Sequence, residues 1–569
     1  MDTTFNVRSS ASLLSSSVAF LAPVALWCMA LAVSNPLGNF PLNDDWSYAL
    51  AVRHLLDTAE FRPLGWTATT LLGHTLWGAA FCLVFGYSFE VLRAATMVAA
   101  LAGLLGFALM LRRLGCERRV AIVATAALGF NPLYFSLAQT YMTDVSFTSV
   151  AAIATFFFCR YLQTRRASDM ALGLLFALVA LSTRQLGLYL PLAMLVTLLL
   201  ERRRDRRGIV CSAGGVVVGA ALFVGLEHWL AVHNATPASY HLPYEWLGKT
   251  LSSVELFVDR VQRNLRGALL YLGWFVAPVL VLRVPAIVRL YHRRVWTRAI
   301  LWGALMIGVA GCVVMIAFHH LMPVASNIIH ASGVGPIVLS GWLGHAKLPA
   351  LPLAFWVFMT IVAMMGGVFL LLYIAALMPS LVSGLRRREA AHTASIRAFL
   401  LLGCAAYLCP FIVSGYFDRY LLPPAFMMLA LIAMPGGLGQ EARVSGARRQ
   451  TLRAPHVIAL MLLFAMGAYA VAGTHDYMSW NRARWILLDR LKVQGVAPTR
   501  IDGGLEYNGL YLYDPNYEAK AGSSFWWVHD DQFIVDFVPH DGYQVTDSED
   551  AGGWLPTFKT KLFVLQRKS

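Results

Sequence analysis

Four short stretches hold the side chains best suited to chemistry. Asn43-Asp44-Asp45-Trp46-Ser47-Tyr48-Ala49 sets two adjacent carboxylates just past the first apolar span. Thr140-Tyr141-Met142-Thr143-Asp144 sets a third directly ahead of a later span. Arg184 interrupts a long apolar run, and Asp418-Arg419-Tyr420 heads another span. A carboxylate at a membrane face can take a proton from a sugar hydroxyl, hold a cation or cap a helix. A guanidinium suits phosphate, because its fork makes two hydrogen bonds at once. Ionisable groups at membrane edges are costly unless paired or solvated, so several on one face are candidates for a site. Each also has a plain structural use. Asp44, Asp45 or Asp144 could cap a helix, Arg184 could anchor a turn among headgroups, and Arg419 could pair with Asp418 or a lipid phosphate.

The elements that must position these groups follow from composition. Of 569 residues, 58% are hydrophobic and 14% charged, against about 25% charged in soluble domains. The mean hydropathy is +0.60. Apolar stretches long enough for a spanning helix of about 20 residues recur throughout. The spans fall at 17–33, 90–111, 119–136, 145–162, 169–182, 185–200, 209–230, 267–283, 298–318, 350–378, 398–414, 420–437 and 455–473. The first reads as an anchor, not a cleaved signal. The expected fold class is mainly α: a polytopic membrane protein with about 13 transmembrane helices, interface helices in the first outer loop and a small α/β C-terminal outer domain. The expected division is a transmembrane domain over 1–473, with the first outer loop at 34–89, and a soluble domain over 474–569.

The net charge of +15 does not imply a nucleic-acid partner. Basic residues cluster in short loops at 112–119, 160–166, 201–207, 283–298, 386–397 and 443–453. These are the inside loops if the N-terminus is cytoplasmic and the spans alternate, as the positive-inside rule requires. The opposite face then carries 34–89, 137–144, 183–184, 231–266, 319–349, 415–419 and the tail, which is where the chemistry-bearing residues fall.

In the first outer loop, helical spacing from Tyr48 to Leu56 and an apolar stretch at 64–83 with Trp66, Trp77 and Phe81 predict two helices lying in the interface. In the loop 231–266, Lys249 precedes Arg260, Arg263 and Arg266, whose spacing lines one helix face. His319, His320, His330, His345 and Lys347 fall in 319–349, whose Ser, Gly and Pro content suggests a mobile segment. The tail reads as a helix at 476–494 followed by strands near 498–502, 505–513, 532–538 and 561–566. Its Trp526, Trp527, Tyr507, Tyr511 and Tyr513 suit a core or a sugar site. The eight cysteines are scattered and lack metal-ligand spacing, so they read as small buried hydrophobes.

The combination resembles the glycosyltransferase-C superfamily, and within it the protein O-mannosyltransferase and lipid A aminoarabinose transferase branch. Asp44-Asp45-Trp46-Ser47-Tyr48-Ala49 is similar to that branch's acidic pair, often Asp-Glu-x-x-Tyr-Ala, with Asp45 a shorter residue than the usual Glu. Thr143-Asp144-Val145 matches its second acidic position, and Arg419 to Pro423 its late Arg-Tyr-Leu-Leu-Pro element. The resemblance covers roughly 15–437 and leaves the tail unmatched. It implies an inverting transfer from a polyprenyl-phosphate sugar donor to an acceptor hydroxyl at the outer face. By that resemblance Asp44 is the general base, and Asp45 and Asp144 orient acceptor or cation. Arg184 and Arg419, then Arg260, Arg263 and Lys249, bind the donor phosphate, and Tyr48, Tyr141 and Tyr420 contact acceptor or sugar. The acidic positions and histidines could bind a metal, but no two of them have a diagnostic ligand spacing. A divalent cation stays open, because some relatives use one and others do not.

The expected setting is a bacterial inner membrane, with the N-terminus cytoplasmic and the C-terminal domain periplasmic. The expected partners are the polyprenyl-phosphate donor, membrane lipid and a glycan, lipid A or protein acceptor. A lipid-linked sugar transporter or flippase would place ionisable groups near midplane. A polysaccharide polymerase would centre on a large late outer loop. Here the polar groups gather at span ends, and the acidic first loop dominates.

Overall fold

The computed structural model describes residues 21–202, 204–233, 235–339, 349–387, 392–436, 453–519, 524, 526–558 and 560–568. The start of the first expected span, His345 and Lys347, and most of the basic loop 443–453 lie outside the described residues. The chain is mainly helical, and each of the thirteen apolar segments is helical over most of its described length, with 119–136 divided into Arg118–Gly129 and Pro132–Leu137. Seven helices among the described residues are long and apolar enough to cross a membrane alone. An eighth is formed if Val254–Leu280 and Val284–His292, bent by 96°, count as one span. Other expected spans are shorter helices, such as Ala167–Thr183 and Leu422–Ala433. The chain is a multi-pass membrane protein.

The bundle is built around helices buried on most sides. Thr143–Thr164 packs between Phe89–Arg113 and Ala167–Thr183. Leu422–Ala433 is buried along its whole length, as expected of a helix apolar all round. Val254–Leu280 lies against Leu353–Arg386. There Gly273 meets Gly366 and Gly367 so closely that a Cβ on Gly273 would come within 2.3 Å of backbone. Small residues let membrane helices approach in this way.

The first loop carries two helices, Asp45–Thr58 and Leu72–Phe85. The second starts later than the apolar pattern at 64 suggests, because 64–71 is taken up in an irregular segment that places Trp66. The first half of Asp45–Thr58 is buried almost all round. Trp46 packs against Trp66, Tyr513 and Trp527, with ring centroids 5.5–6.3 Å apart. At about 25 cal/mol per Å² and roughly 150–250 Å² per ring, this cluster outweighs the ~1–2 kcal/mol per residue needed to order the first turn.

The helix Arg453–Val493 runs on from the last apolar segment without a break. At about 1.5 Å per residue its 41 residues span ~60 Å, twice the ~30 Å hydrocarbon core. A small four-stranded sheet follows: β3 (Ile501–Asp502), β4 (Phe533–Asp536), β5 (Tyr543–Ala551) and β6 (Thr560–Arg567), in order β3-β4-β6-β5. The first pair is parallel and the others antiparallel. Two departures from the sequence reading stand out. Residues 505–512 form a helix, not a strand; their near-alternation is overridden because Glu506 and Asn508 both find buried partners there. Strand β5 falls outside the expected strands, because it is an edge strand of mostly polar residues. A two-residue hairpin, β1 (Ile329–His330) with β2 (Gly333–Val334), orders part of the loop expected to be mobile.

Candidate active site

The helix starts and turns at one end of the bundle enclose a cavity of about 1350 Å³. Asp44, Tyr48, Asp144, Arg184, Arg419 and Tyr420 line it, with Trp66 and Trp526 among its aromatic walls. Asp44 precedes the helix Asp45–Thr58, where Asn43 takes a left-handed φ of 57°, a conformation Asn tolerates better than most residues. Asp44 does not cap that helix with its side chain. Its Oδ1 accepts from Trp66 Nε1 at 2.9 Å and its Oδ2 from an Arg419 Nη at 3.3 Å.

Asp144 stands in the first turn of Thr143–Thr164, where the helix dipole favours negative charge. Its Oδ1 accepts a hydrogen bond from Arg184. Its Oδ2 lies 3.9 Å from Arg419 Nε, and neither atom makes a hydrogen bond within the protein. Arg184 sits at the junction of Ala167–Thr183 and the turn Gln185–Leu188. Arg419 sits in the turn Asp418–Leu421 that leads into Leu422–Ala433, and also donates to Asn327 Oδ1 at 3.1 Å. Both guanidinium groups lie over the Tyr420 ring, at 4.7 and 5.7 Å from its centroid. Asp44, Arg419, Asp144 and Arg184 thus form one chain of alternating charge. Each buried charge is compensated, as burial requires, yet Asp144 and Arg419 keep hydrogen-bonding capacity in reserve.

Asp418 does not hold the Arg419 side chain. Its carboxylate accepts from the backbone N–H groups of Ile328, Ile329 and Arg419 at 2.7–3.0 Å, which fixes the loop carrying Asn327 against the cavity. Asp45 is buried outside the cavity. It accepts from Leu42 N at 2.6 Å and Tyr141 N at 3.0 Å, tying the Asp44 turn to the segment that leads to Asp144. Desolvation pushes its carboxyl up to about 7, opposed by those two amides and by Arg93. Tyr141 is likewise outside the cavity: its hydroxyl donates to His74 O at 2.7 Å.

The three later cations do not line the cavity. Arg260 donates to Thr250 Oγ1 at 2.8 Å and Ser414 O at 3.4 Å. Arg263 pairs with Asp259 one turn away, with 63% of its side chain exposed, and Lys249 is exposed. His319 and His320 are exposed; His330 lines the cavity with its Nε2 against Gly335 O at 2.8 Å. Trp526 reaches the cavity, while Trp527 belongs to the cluster around Trp46.

Sequence reasoning missed Asn327, Gln185 and Glu227. Glu227 carried a signal: it is an acidic residue near the end of a long apolar span, which alone marks a candidate. Asn327 carried none. The donor set does not suit a divalent ion. Asp44 and Asp144 accept from arginines, and no group of three His, Cys, Asp or Glu side chains gathers among the described residues.

Fold and site together define a multi-pass membrane protein with a charged reaction-sized cavity at one end of its bundle. Residues 74–229 match the family described as dolichyl-phosphate-mannose-protein mannosyltransferase. That segment contains Asp144 and Arg184. Among solved structures, the chain is similar to ArnT from Cupriavidus metallidurans bound to undecaprenyl phosphate, at 14% identity over 96% of this chain and 97% of that one, with a TM-score of 0.40. The same protein in the apo state matches at 16% identity over 87% and 84%, TM-score 0.37. The oligosaccharyltransferase AglB from Archaeoglobus fulgidus, in complex with an inhibitory peptide and a dolichol-phosphate, matches at 13% identity over 84% and 59%, TM-score 0.40. No curated protein matches.

Proposed function

We propose that this protein is a membrane glycosyltransferase that moves a hexosyl or pentosyl group from a polyprenyl-phosphate donor to an acceptor hydroxyl, with inversion. The observation that carries this reading is the convergence of Asp44, Asp144, Arg184 and Arg419 on one cavity from four separate segments. The family match over 74–229, whose printed description names a lipid-phosphate sugar donor, supports it. The cavity's size also fits: about 1350 Å³ exceeds the roughly 300–1,000 Å³ of ordinary small-molecule sites, leaving room for a lipid-linked sugar and an acceptor together.

In this mechanism Asp44 takes the acceptor hydroxyl proton as the oxygen attacks the anomeric carbon. The bond from that carbon to the phosphate oxygen breaks, and its electron pair leaves with the phosphate, which gains one negative charge. Arg419 and Arg184 stabilise that charge in a site shielded from bulk water. Asp144 holds both guanidinium groups on the cavity wall. Tyr48 and Tyr420 contact acceptor or sugar. Asp45 and Tyr141 position the Asp44 turn. No step runs through a metal ion.

We take 1–473 as the catalytic membrane domain and 474–569 as an outer domain. We take the cavity to face the periplasm of a bacterial inner membrane, with the N-terminus in the cytoplasm, a reading supported by the basic loops. The acceptor is then a glycan, lipid A or protein exposed there. The polar network at helix ends suits interfacial chemistry better than transport.

The test is transfer by purified wild type and Asp44→Asn, using a panel of radiolabelled polyprenyl-phosphate sugars with membrane extract as acceptor. Wild type should transfer at least one sugar, and the folded variant should lose roughly 10²–10⁴-fold. Equal transfer by both removes Asp44 as base. Sugar or lipid movement in vesicles that survives Asp44→Asn, without transfer, favours a transporter.

A further inference from the structure

We infer that Glu506, in the C-terminal region, is a positioning residue for Asp44, and that Arg484 holds Glu506 to this task. The inference rests on the reading of Asp44 as the base. Glu506 Oε1 accepts the backbone N–H of Asn43 at 2.9 Å, and its Oε2 accepts from Arg484 at 2.8 Å. Both side chains of the pair are 0% exposed. The Arg484 guanidinium also lies over the rings of Trp480 and Trp485, at 5.2 and 5.9 Å from their centroids.

The target of this bond matters more than its existence. Asn43 is the residue before Asp44, and it is the one in the left-handed conformation. A bond to its N–H fixes the turn that aims the Asp44 carboxylate. The same region grips the approach to that turn. Arg482, two residues before Arg484, donates to Asn35 O and Leu37 O at 2.8 and 3.2 Å. One turn beyond Glu506, Gly509 lies against Trp46, where a Cβ would come within 2.4 Å of the ring. Leu505 N donates to Val338 O at 2.8 Å, and both residues line the cavity. A tail that only docked onto the membrane domain would not need a fully buried ion pair. Such a pair is expensive to desolvate and strongly destabilising when one member is lost. A carboxylate bond is charge-assisted and more directional than a neutral one. Displacing a reacting group by ~1 Å can cost on the order of 10²-fold in rate, so a rigid clamp beside the base has a kinetic use.

The test uses the full chain in lipid nanodiscs, with the sugar donor that wild type transfers best from the panel above. The double variant R484M/E506L removes both charges together, which folded proteins tolerate far better than removing one. It should keep its thermal midpoint within a few degrees and bind undecaprenyl phosphate as wild type does. Its kcat should fall roughly 10- to 100-fold with donor KM within about threefold. Glu506→Gln retains an acceptor oxygen for Asn43 and should recover part of that loss relative to Glu506→Leu. A folded double variant with wild-type kcat overturns the inference. Should neither variant fold, hydrogen exchange on wild type decides: the Asn43 amide should exchange among the slowest in 34–60, and exchange as fast as its loop neighbours overturns the clamp. Asp44→Asn in the same assay separates the two claims. If it transfers normally, the base assignment fails; if it is dead while R484M/E506L is active, only the Glu506 inference fails.

Discussion

Two sets of cations stand on the same side of the bundle, and they are built differently. Arg184 and Arg419 are buried, and their carboxylate partners lie 40 and 375 residues away in sequence. Arg263 is exposed and pairs with Asp259 only four residues away. Lys249 is exposed, and Arg260 bonds Thr250 and a backbone carbonyl. A local surface pair is worth ~0.3–0.5 kcal/mol and dresses a helix. A buried pair between distant segments has to overcome desolvation, so it persists where the fold needs charge at one place. Only the second kind marks this cavity.

The largest expected effect that tests this contrast is Arg419→Ala. It removes the cation that spans Asp44, Asn327 and the neighbourhood of Asp144. Transfer should fall by roughly 10²–10³-fold, the cost typical of losing one preorganised charge-stabilising donor. Arg419→Lys should recover little, because an ammonium lacks the planar fork needed to hold Asp44 and Asn327 together. Steady-state kinetics on both variants checks this. An Arg419→Ala enzyme as active as Arg263→Ala would erase the distinction between the two sets.

Arg184 comes next and separates stability from rate. Arg184→Gln leaves Asp144 buried with a weakened partner, which should destabilise by about 3–5 kcal/mol. The double variant R184Q/D144N removes both charges and should recover most of that stability in a thermal melt while transfer stays low. Recovery of transfer along with stability would reduce Arg184 to a structural role.

A third expectation concerns Asp45, which is fixed by amides instead of a cation. Its carboxyl is raised to about 7 by burial, from about 3.9 in an unfolded chain. The folded state therefore holds the proton more tightly. The stability this contributes is complete below about pH 4 and is lost as pH rises through about 7. The thermal midpoint should fall between pH 5 and pH 8 in wild type, and fall less in Asp45→Asn. Equal slopes would mean that burial does not raise the Asp45 carboxyl.

Much of this was legible in sequence. Apolar spans and basic loops gave a helical membrane protein, and motif residues at span ends gave Asp44, Asp144, Arg184 and Arg419, which the structure brings to one cavity. What sequence could not give was direction. Asp44 and Asp45 are neighbours, yet successive residues at a helix start point to different sides, so one faces the cavity and the other the protein interior. The spacing of Arg260, Arg263 and Arg266 predicts a shared helix face, and all three lie on the helix Val254–Leu280, but spacing cannot say what each side chain meets. Asn327 carries no pattern, and its place depends on Asp418 gripping the amides of Ile328 and Ile329. The helix at 505–512 hid because its burial is set by Arg484 and Trp46, partners that no local period reveals.

The smallest expected effects fall on the second set of cations, and they probe the contrast from the other side. Arg263→Ala and Lys249→Ala touch exposed side chains away from the cavity wall. Their kcat and donor KM should stay within about twofold of wild type, the scale of a surface charge change. Arg260→Ala should do slightly more, because it frees Thr250 and Ser414 O, and Ser414 lines the cavity. A few-fold rise in donor KM with kcat unchanged would fit a loosened wall, since uniform binding is then what is lost. A 100-fold loss on Arg263→Ala would instead mean that this helix face turns toward the donor phosphate during the reaction. The division of the cations by burial would then describe the resting protein alone.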